Sequence, residues 1–131
     1  MLLVDSSVWI QYFNKVVSAE TDHLDHLLEN ETLVIGDLIL TEVLQGIRHQ
    51  QQFDKIHRIF SGFPIVTIGG RDIAVQVSQN YRYLRNKGIT VRKTIDCLIA
   101  TYCIQNQHTL LHADRDFHWF EQHLGLNAWH S

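Results

Sequence analysis

Short runs of apolar residues alternate with longer amphipathic stretches along this chain. The apolar runs end at a polar residue or a turn, which is typical of short strands buried inside a fold. We predict four such strands, over residues 2–4, 33–35, 65–68 and 109–111. Because no strand shows a strict alternation of apolar and polar residues, we expect both faces of the sheet to be covered.

The amphipathic stretches carry apolar residues three and four positions apart, which is the spacing that lines one face of an α-helix. Trp9, Tyr12 and Phe13 mark the first helix in this way. Further helices are predicted after Ser18, over 36–48, around 53–60, over 71–86, after a capping Thr94 and over 114–122. Strands that alternate with helices form a parallel sheet between helical layers, so the pattern predicts an α/β fold.

Length and composition set the remaining limits. A chain of 131 residues with 45% hydrophobic residues is long enough for one domain with a substantial core, and we predict a single domain over residues 1–131. No segment resembles a signal peptide, and no apolar run approaches the ~20 residues of a membrane span. We therefore expect a cytoplasmic protein that does not enter a membrane, in which Cys97 and Cys103 are reduced core thiols.

Five carboxylates stand where apolar segments end: Asp5, Glu42, Asp96, Asp114 and Asp116. An acid beside a buried segment is costly unless it is paired or binds a metal. Asp5 and Asp114 directly follow predicted strands, at the sheet edge where ligands bind in such folds. Ligands that offer oxygen alone suit Mg²⁺ or Mn²⁺. The pattern therefore predicts a metal-dependent phosphodiesterase.

Most of these acids also have a purely structural explanation. Asp5 and Asp114 can cap helices, and Asp96 is a first-turn acid that the helix dipole favours. Glu42 gains nothing from a helix end, because it lies among apolar residues within a predicted helix. Its position indicates a metal or a metal-bound water as its partner. Asp37, by contrast, is interpreted as an ordinary acid at the start of a helix.

The charge balance leaves nucleic-acid binding open. Eleven Lys and Arg against fourteen Asp and Glu give a formal net charge of −3, whereas proteins that bind nucleic acid by charge alone are usually basic. Bound metal would neutralise several of the acids, and basic residues concentrate between positions 82 and 93. Arg85, Arg92 and Lys93 are candidates for contacts with phosphate groups. The alternative is a solvated helix end and loop.

Four segments carry a resemblance to a known family. They are 4–10 (VDSSVWI), 40–46 (LTEVLQG), 94–100 (TIDCLIA) and 111–117 (LHADRDF). Together they resemble the PIN-domain ribonucleases and, within these, the VapC-type toxins of prokaryotic toxin–antitoxin modules. The segments stand in the family's order and spacing and extend over nearly the whole chain, which makes them far more specific than any single motif.

The resemblance implies a PIN-like three-layer α/β/α fold with a four- to five-stranded parallel sheet. It also implies a site for Mg²⁺, or Mn²⁺ in its place, built from Asp5, Glu42, Asp96 and Asp114 with Asp116 as an auxiliary acid. Ser6 is implied to orient Asp5 or to contact the substrate phosphate. Many relatives carry Thr or Ser just before the position of Asp114, whereas this chain has His112 and Ala113. We interpret His112 as a structural histidine.

As a function, the resemblance implies a toxin that is an endoribonuclease. Such an enzyme would cleave one structured RNA, in a tRNA or rRNA loop, with a metal-activated water and leave a 5′-phosphate and a 3′-hydroxyl. The implied partners are a cognate VapB-type antitoxin and a second copy of the chain. Trp9, Tyr12 and Phe13 are candidates for the antitoxin groove, with core packing the stronger expectation for at least two of them. The alternative function is a non-catalytic RNA-binding or interaction module that has kept the fold.

Overall fold

Parallel strands form the centre of the molecule. The computed structural model describes residues 1–30 and 32–131. Within these residues the strands are β1 (Leu2–Val4), β2 (Leu33–Gly36), β3 (Ile65–Val66) and β4 (Thr109–Leu111). They form one sheet in the order β3-β2-β1-β4, and every neighbouring pair is parallel. The carboxyl ends of all these strands therefore lie at the same edge of the sheet.

Helices connect the strands and cover the sheet. In the described part of the chain they are α1 (Ser6–Phe13), α2 (Ala19–Asn30), α3 (Asp37–Gln45), α4 (Gln50–Ser61), α5 (Arg71–Asn86), α6 (Thr94–Asn106) and α7 (His118–Leu124). One packed group contains α1 to α4, and a second contains α5 to α7. The predicted three-layer α/β/α architecture with a four-stranded parallel sheet is confirmed. No described helix is both long and apolar enough to cross a membrane.

Burial in the core explains why the strands are short runs of apolar residues in the sequence. Leu3 and Val4 of β1, Leu33 of β2 and Leu110 of β4 are fully buried, as expected for a sheet with helices on both faces. Trp9 of α1 is also fully buried, and its ring meets Phe60 of α4 edge to face with the centroids 4.8 Å apart. Cys97 and Cys103 are buried free thiols, as predicted.

Some element boundaries differ from the sequence-based prediction. Helix α6 begins at Thr94, and its N-cap is Lys93, which makes no side-chain capping bond. The last predicted helix is divided into a 3₁₀ turn over Arg115–Phe117 and then α7. The turn is tight because Asp114 caps it, with its side chain accepting a hydrogen bond from the Asp116 amide at 3.0 Å.

Strand β3 ends at Val66 rather than at Ile68, and the reason lies in Asp37. The Ile68 amide donates to the Asp37 side chain at 2.9 Å, and the same carboxylate oxygen accepts from the Leu38 amide at 2.8 Å. Asp37 therefore does more than begin α3, because it also holds the chain after β3. Gly36 allows this close approach, since a side-chain carbon at that position would overlap the Ile68 side chain.

The C-terminal segment lies beside β4 without forming a full strand. Leu110 and Ala128 form a single parallel bridge. The Leu110 amide donates to the Asn127 carbonyl, and the Trp129 amide donates to the Leu110 carbonyl, both at 2.9 Å. Through these bonds, residues that follow α7 pair with β4 at the edge of the sheet.

The double role of Asp37 predicts a measurable loss of stability. Asp37→Ala should lower the free energy of unfolding by about 2 kcal/mol, because the amide of the fully buried Ile68 loses its acceptor. Asp37→Asn keeps an acceptor oxygen and should cost less than half as much. Urea denaturation measures both, with Asp72→Ala as the control because Asp72 is an exposed acid in the first turn of α5. Equal losses at positions 37 and 72 would contradict the prediction.

Candidate active site

Asp5 connects β1 to α1 and is buried, with 3% of its surface exposed. It is the N-cap of α1, and its Oδ2 accepts hydrogen bonds from the Ser7 amide at 3.0 Å and the Ser7 hydroxyl at 2.5 Å. Its Oδ1 is also buried and has no hydrogen-bond partner. Burial raises the pKa of Asp5, and the bonds from Ser7 oppose this. The carboxylate is therefore held in place with one oxygen unsatisfied.

Asp96 occupies the first turn of α6 and is equally buried, at 5% exposure. Its Oδ2 also lacks a hydrogen-bond partner. Desolvation is the largest cause that raises the pKa of Asp96 to about 7, and the negative charge of Asp5 is the next. Asp114 and Glu42 raise it further, while the nearby Lys93 lowers it. The acids that the sequence predicts to cluster therefore act on one another.

Glu42 reaches this group from α3. The Ser6 hydroxyl donates a hydrogen bond to its Oε1 at 3.2 Å. Burial raises the pKa of Glu42, and the charge of Asp5 adds to the shift. The prediction that this glutamate needs a polar partner is thus met in part by Ser6, which leaves its other oxygen available.

Asp114 and Asp116 complete the cluster from the segment after β4. One carboxylate oxygen from each of Asp96, Asp114 and Asp116 lies within 4.8 Å of the other two. Asp116 is also paired with Arg92 in a forked contact, with nitrogen–oxygen distances of 2.9 to 3.1 Å. This ion pair neutralises one acid of the cluster without involving the others.

The acid cluster fits a hard divalent cation. Two buried carboxylate oxygens, one on Asp5 and one on Asp96, have no hydrogen-bond partner, which is costly for a charged group unless a cation binds it. All five side chains offer oxygen, the ligand atom that hard cations prefer. A cation would also relieve the mutual repulsion that raises the pKa of Asp96 and Glu42.

Ser7 is the part of this site that the sequence analysis missed. Its hydroxyl donates to Asp5 and accepts a hydrogen bond from the Ala113 amide at 3.1 Å, so it joins the end of β1 to the end of β4. Ser7 rather than Ser6 is therefore the side chain that orients Asp5. The available signal was a hydroxyl two positions after the N-cap, where it can reach back to the capping carboxylate.

The candidate phosphate-binding residues do not form one patch. Lys93 lies close enough to lower the pKa of both Asp96 and Glu42. Arg92 forms an ion pair with Asp116. Arg85 is exposed at the end of α5 and stacks over the Tyr81 ring at 5.7 Å, with no ion pair in the described residues.

A cavity of about 320 Å³ opens beside the acid cluster, and Glu42 forms part of its wall. Its apolar wall comes from α1, α3, α4 and the loop between α3 and α4, and consists of Ile10, Phe13, Val43, Ile47 and Ile56. Of the three aromatic candidates for a groove, Phe13 alone lines it. Trp9 is core, as expected, and Tyr12 donates a hydrogen bond to Asp25 at 2.8 Å.

Comparison with known proteins shows which family the chain belongs to. Residues 2–121 match the PIN domain, so the chain belongs to the PIN-domain family. Within it, the chain is 30% identical to VapC ribonuclease Mb1587 of Mycobacterium bovis and to Ribonuclease VapC11 of Mycobacterium tuberculosis. Both alignments extend over 119 residues and cover 89% of each chain.

Solved structures share the fold at lower identity. VapBC2 from Rickettsia felis matches with a TM-score of 0.74 and 20% identity, over 98% of this chain and 96% of that one. FitAcB from Neisseria gonorrhoeae matches with a TM-score of 0.72 and 19% identity, over 99% and 97%. The PIN-like fold and the VapC resemblance inferred from the four sequence segments are thus confirmed.

The raised pKa of Asp96 predicts a dependence of stability on pH. The folded, metal-free protein binds this proton up to about pH 7, whereas an unfolded chain releases it near pH 4. The group therefore stabilises the fold below about pH 4, and its contribution is lost as the pH rises to about 7. Asp96→Asn should remove this pH-dependent loss of stability. The melting temperature of Asp96→Asn should therefore rise relative to that of the wild type as the pH increases from 4 to about 7.

Thermal denaturation in metal-free buffer at several pH values measures that difference. Asp72→Asn is the matched control, because Asp72 is an exposed acid in the first turn of α5. A difference between Asp96→Asn and wild type that stays constant from pH 4 to pH 7 would contradict the prediction.

Proposed function

We propose that this protein is a Mg²⁺-dependent endoribonuclease that acts as the toxin of a VapBC-type toxin–antitoxin module. The observation that carries the proposal is the pair of buried, unpartnered carboxylate oxygens on Asp5 and Asp96, in a chain that belongs to the PIN-domain family. Residues 1–131 then form one nuclease domain, and its RNA target places the activity in the cytoplasm. Its relatives are named as VapC ribonucleases.

In this proposal Asp5, Glu42, Asp96 and Asp114 hold Mg²⁺, or Mn²⁺ in its place, and Asp116 assists them. When bound, the ion polarises the phosphoryl oxygen, makes an attacking water more acidic and stabilises the leaving 3′ oxygen. Water attack needs no 2′-hydroxyl nucleophile, so the products carry a 5′-phosphate and a 3′-hydroxyl.

The residues around the acids would prepare them for this chemistry. Ser7 holds Asp5 through its hydroxyl and its amide, so the free Oδ1 keeps a fixed direction. Ser6 holds one oxygen of Glu42 and can exchange that bond for one to the substrate phosphate. Rigid placement of charged ligands matters because the ion's geometry must be ready before the substrate arrives.

The substrate that we propose is one loop of a structured RNA, in a tRNA or an rRNA. Lys93 lies beside the acids, and the loop that holds it leads into the helix that carries Asp96. A cation beside the catalytic acids, here Lys93, suits a grip on the backbone of a folded RNA. Binding of a long single strand would instead need a basic groove lined with stacking aromatics. Sequence-specific recognition of RNA commonly uses loops with unstacked bases.

The proposed regulator is a VapB-type antitoxin. Two structures with this fold are described as VapBC complexes with DNA, from Rickettsia felis and Salmonella typhimurium. In this chain the cavity lined by Phe13 and Ile47 is next to Glu42, so an apolar helix seated there could bring a basic side chain to the acids. A homodimer is part of the same proposal. The competing function is a non-catalytic RNA-binding module, and a cleavage assay separates the two.

Removing one acid should abolish cleavage without unfolding the protein. Asp5→Asn or Asp96→Asn should abolish RNA cleavage, because the ion loses a ligand. The melting temperature should stay the same or rise, since repulsion between the acids is relieved. Gel-based cleavage assays with and without EDTA measure activity, and Asp72→Asn is the control. Wild-type cleavage that persists in excess EDTA would exclude the metal mechanism.

Substitutions of the basic residues should change the salt dependence of cleavage. Lys93→Ala, Arg92→Ala and Arg85→Ala should each weaken kcat/KM, and each lost phosphate contact should reduce the log–log salt slope by roughly 0.7 to 0.9. We expect the largest effect at Lys93, which lies beside the acids. Arg58→Ala is the control, because Arg58 is an exposed cation on α4. If Lys93→Ala leaves the slope at the wild-type value, the RNA backbone binds elsewhere.

Expression in a bacterial host tests the toxin assignment. Wild type should arrest growth, Asp5→Asn should not, and co-expression of the cognate antitoxin should restore growth. Phe13→Ala should weaken this rescue, because it removes part of the apolar cavity wall. Light scattering of the purified protein tests the homodimer. Normal growth in cells that contain active, folded wild-type protein would argue against a toxin.

A further inference from the structure

His112 is buried directly after β4, and both of its ring nitrogens have polar partners. Its Nδ1 accepts a hydrogen bond from the Asp114 amide at 3.3 Å, and its Nε2 lies 3.0 Å from Glu121 Oε2. The other oxygen of Glu121 lies 2.7 Å from the Nε2 of His130. A chain of polar contacts therefore connects the C-terminal segment to the backbone of Asp114.

The direction of these bonds fixes the tautomer of His112. A backbone amide can only donate, so Nδ1 must be the unprotonated acceptor and Nε2 must carry the proton. The Nε2–H group therefore donates a hydrogen bond to the Glu121 carboxylate. Burial raises the pKa of Glu121, but the hydrogen bonds from His112 and His130 outweigh it and lower the pKa overall, so Glu121 is an ionised acceptor.

This assignment argues against a metal centre at the cluster of His112, His118 and Glu121, whose ligand atoms lie within 4.8 Å of one another. Metal at Nε2 would move the proton to Nδ1 and set it against the Asp114 N–H. The hydrogen bonds that are present satisfy His112 and Glu121 without an ion.

Two consecutive amides after β4 are thereby anchored by two different side chains. The Ala113 amide donates to Ser7, which in turn holds Asp5. The Asp114 amide donates to His112, which in turn is held by Glu121. The position of the Asp114 carboxylate relative to Asp5 and Asp96 depends on both anchors.

The C-terminal segment holds the far end of this network. Residues 127–129 are bonded to Leu110 of β4, and the Trp129 ring stacks on His23 of α2 with the centroids 4.3 Å apart. His130 follows at once and meets Glu121. The segment therefore brings the His130 ring to the Glu121 carboxylate, whose other oxygen is bonded to His112.

We propose that His112, Glu121 and His130 form a positioning network that holds Asp114 where it binds the metal, and that the C-terminal segment thereby helps to set the metal affinity of the site. The inference rests on the proposed role of Asp114 as a metal ligand. None of the three network residues touches the metal or the RNA in this scheme, so they act through the Asp114 backbone. Outer partners of this kind commonly change metal affinity by 10- to 100-fold.

The experiment compares Glu121→Ala with Glu121→Gln. Loss of the acceptor in Glu121→Ala should weaken Mn²⁺ binding, measured by calorimetry, by about tenfold and raise the Mg²⁺ concentration for half-maximal cleavage. Glu121→Gln keeps an oxygen that can accept from His112 and should restore most of the affinity. His130→Ala should have a smaller effect in the same direction. Gln122→Ala is the control, because Gln122 is an exposed residue on the same helix.

Nitrogen-15 NMR of the histidine rings tests the tautomer independently of activity. We expect His112 of the metal-free wild type to carry a proton on Nε2 and none on Nδ1, and a proton on Nδ1 would overturn the proposal. Unchanged Mn²⁺ affinity in Glu121→Ala, with only a lower melting temperature, would also overturn it by showing a purely structural network. Absence of Mn²⁺ binding by the wild type would instead refute the proposed function, and this inference with it.

Discussion

The burial of like charges at one edge of the sheet is the constraint on which the rest of this structure depends. Asp5 and Asp96 are each at most 5% exposed, and each leaves an oxygen without a partner. Desolvation and mutual repulsion disfavour the ionised state, as the pKa of about 7 for Asp96 shows. The apolar core has to offset this cost in the metal-free protein, and a bound cation would reverse it.

Local backbone geometry lowers the cost of burying these acids. Asp5 caps α1 and Asp96 lies in the first turn of α6, so both carboxylates stand at helix N-termini where the dipole favours negative charge. Ser7 adds two hydrogen bonds to Asp5 and connects it to the chain after β4. Asp5 thus begins α1 as its N-cap, and Ser7 both holds Asp5 and joins the ends of β1 and β4. Structural and functional explanations of these acids are complementary rather than exclusive.

Several interactions connect the acids to the charged and polar residues around them. Arg92 neutralises Asp116, which concentrates the unpaired negative charge on the remaining acids. Lys93 lowers the pKa of Asp96 and Glu42 without forming an ion pair of its own in the described residues. After β4, the chain is supported by the His112 imidazole, which accepts from the Asp114 amide, and by the Glu121 carboxylate that His112 contacts.

The sequence by itself determined the parallel α/β fold, because apolar strand runs and helical periodicity are local patterns that survive without tertiary information. It also indicated the acids, since a charged residue beside a buried segment needs an explanation in any fold. Only the tertiary structure decided their partners. Ser7 meets Ala113 across 106 positions, Asp37 holds Ile68 across 31, and His112 depends on Glu121. The first two contacts join a side chain to a distant backbone amide, and the third joins two side chains. No local spacing records which partner the fold brings within reach.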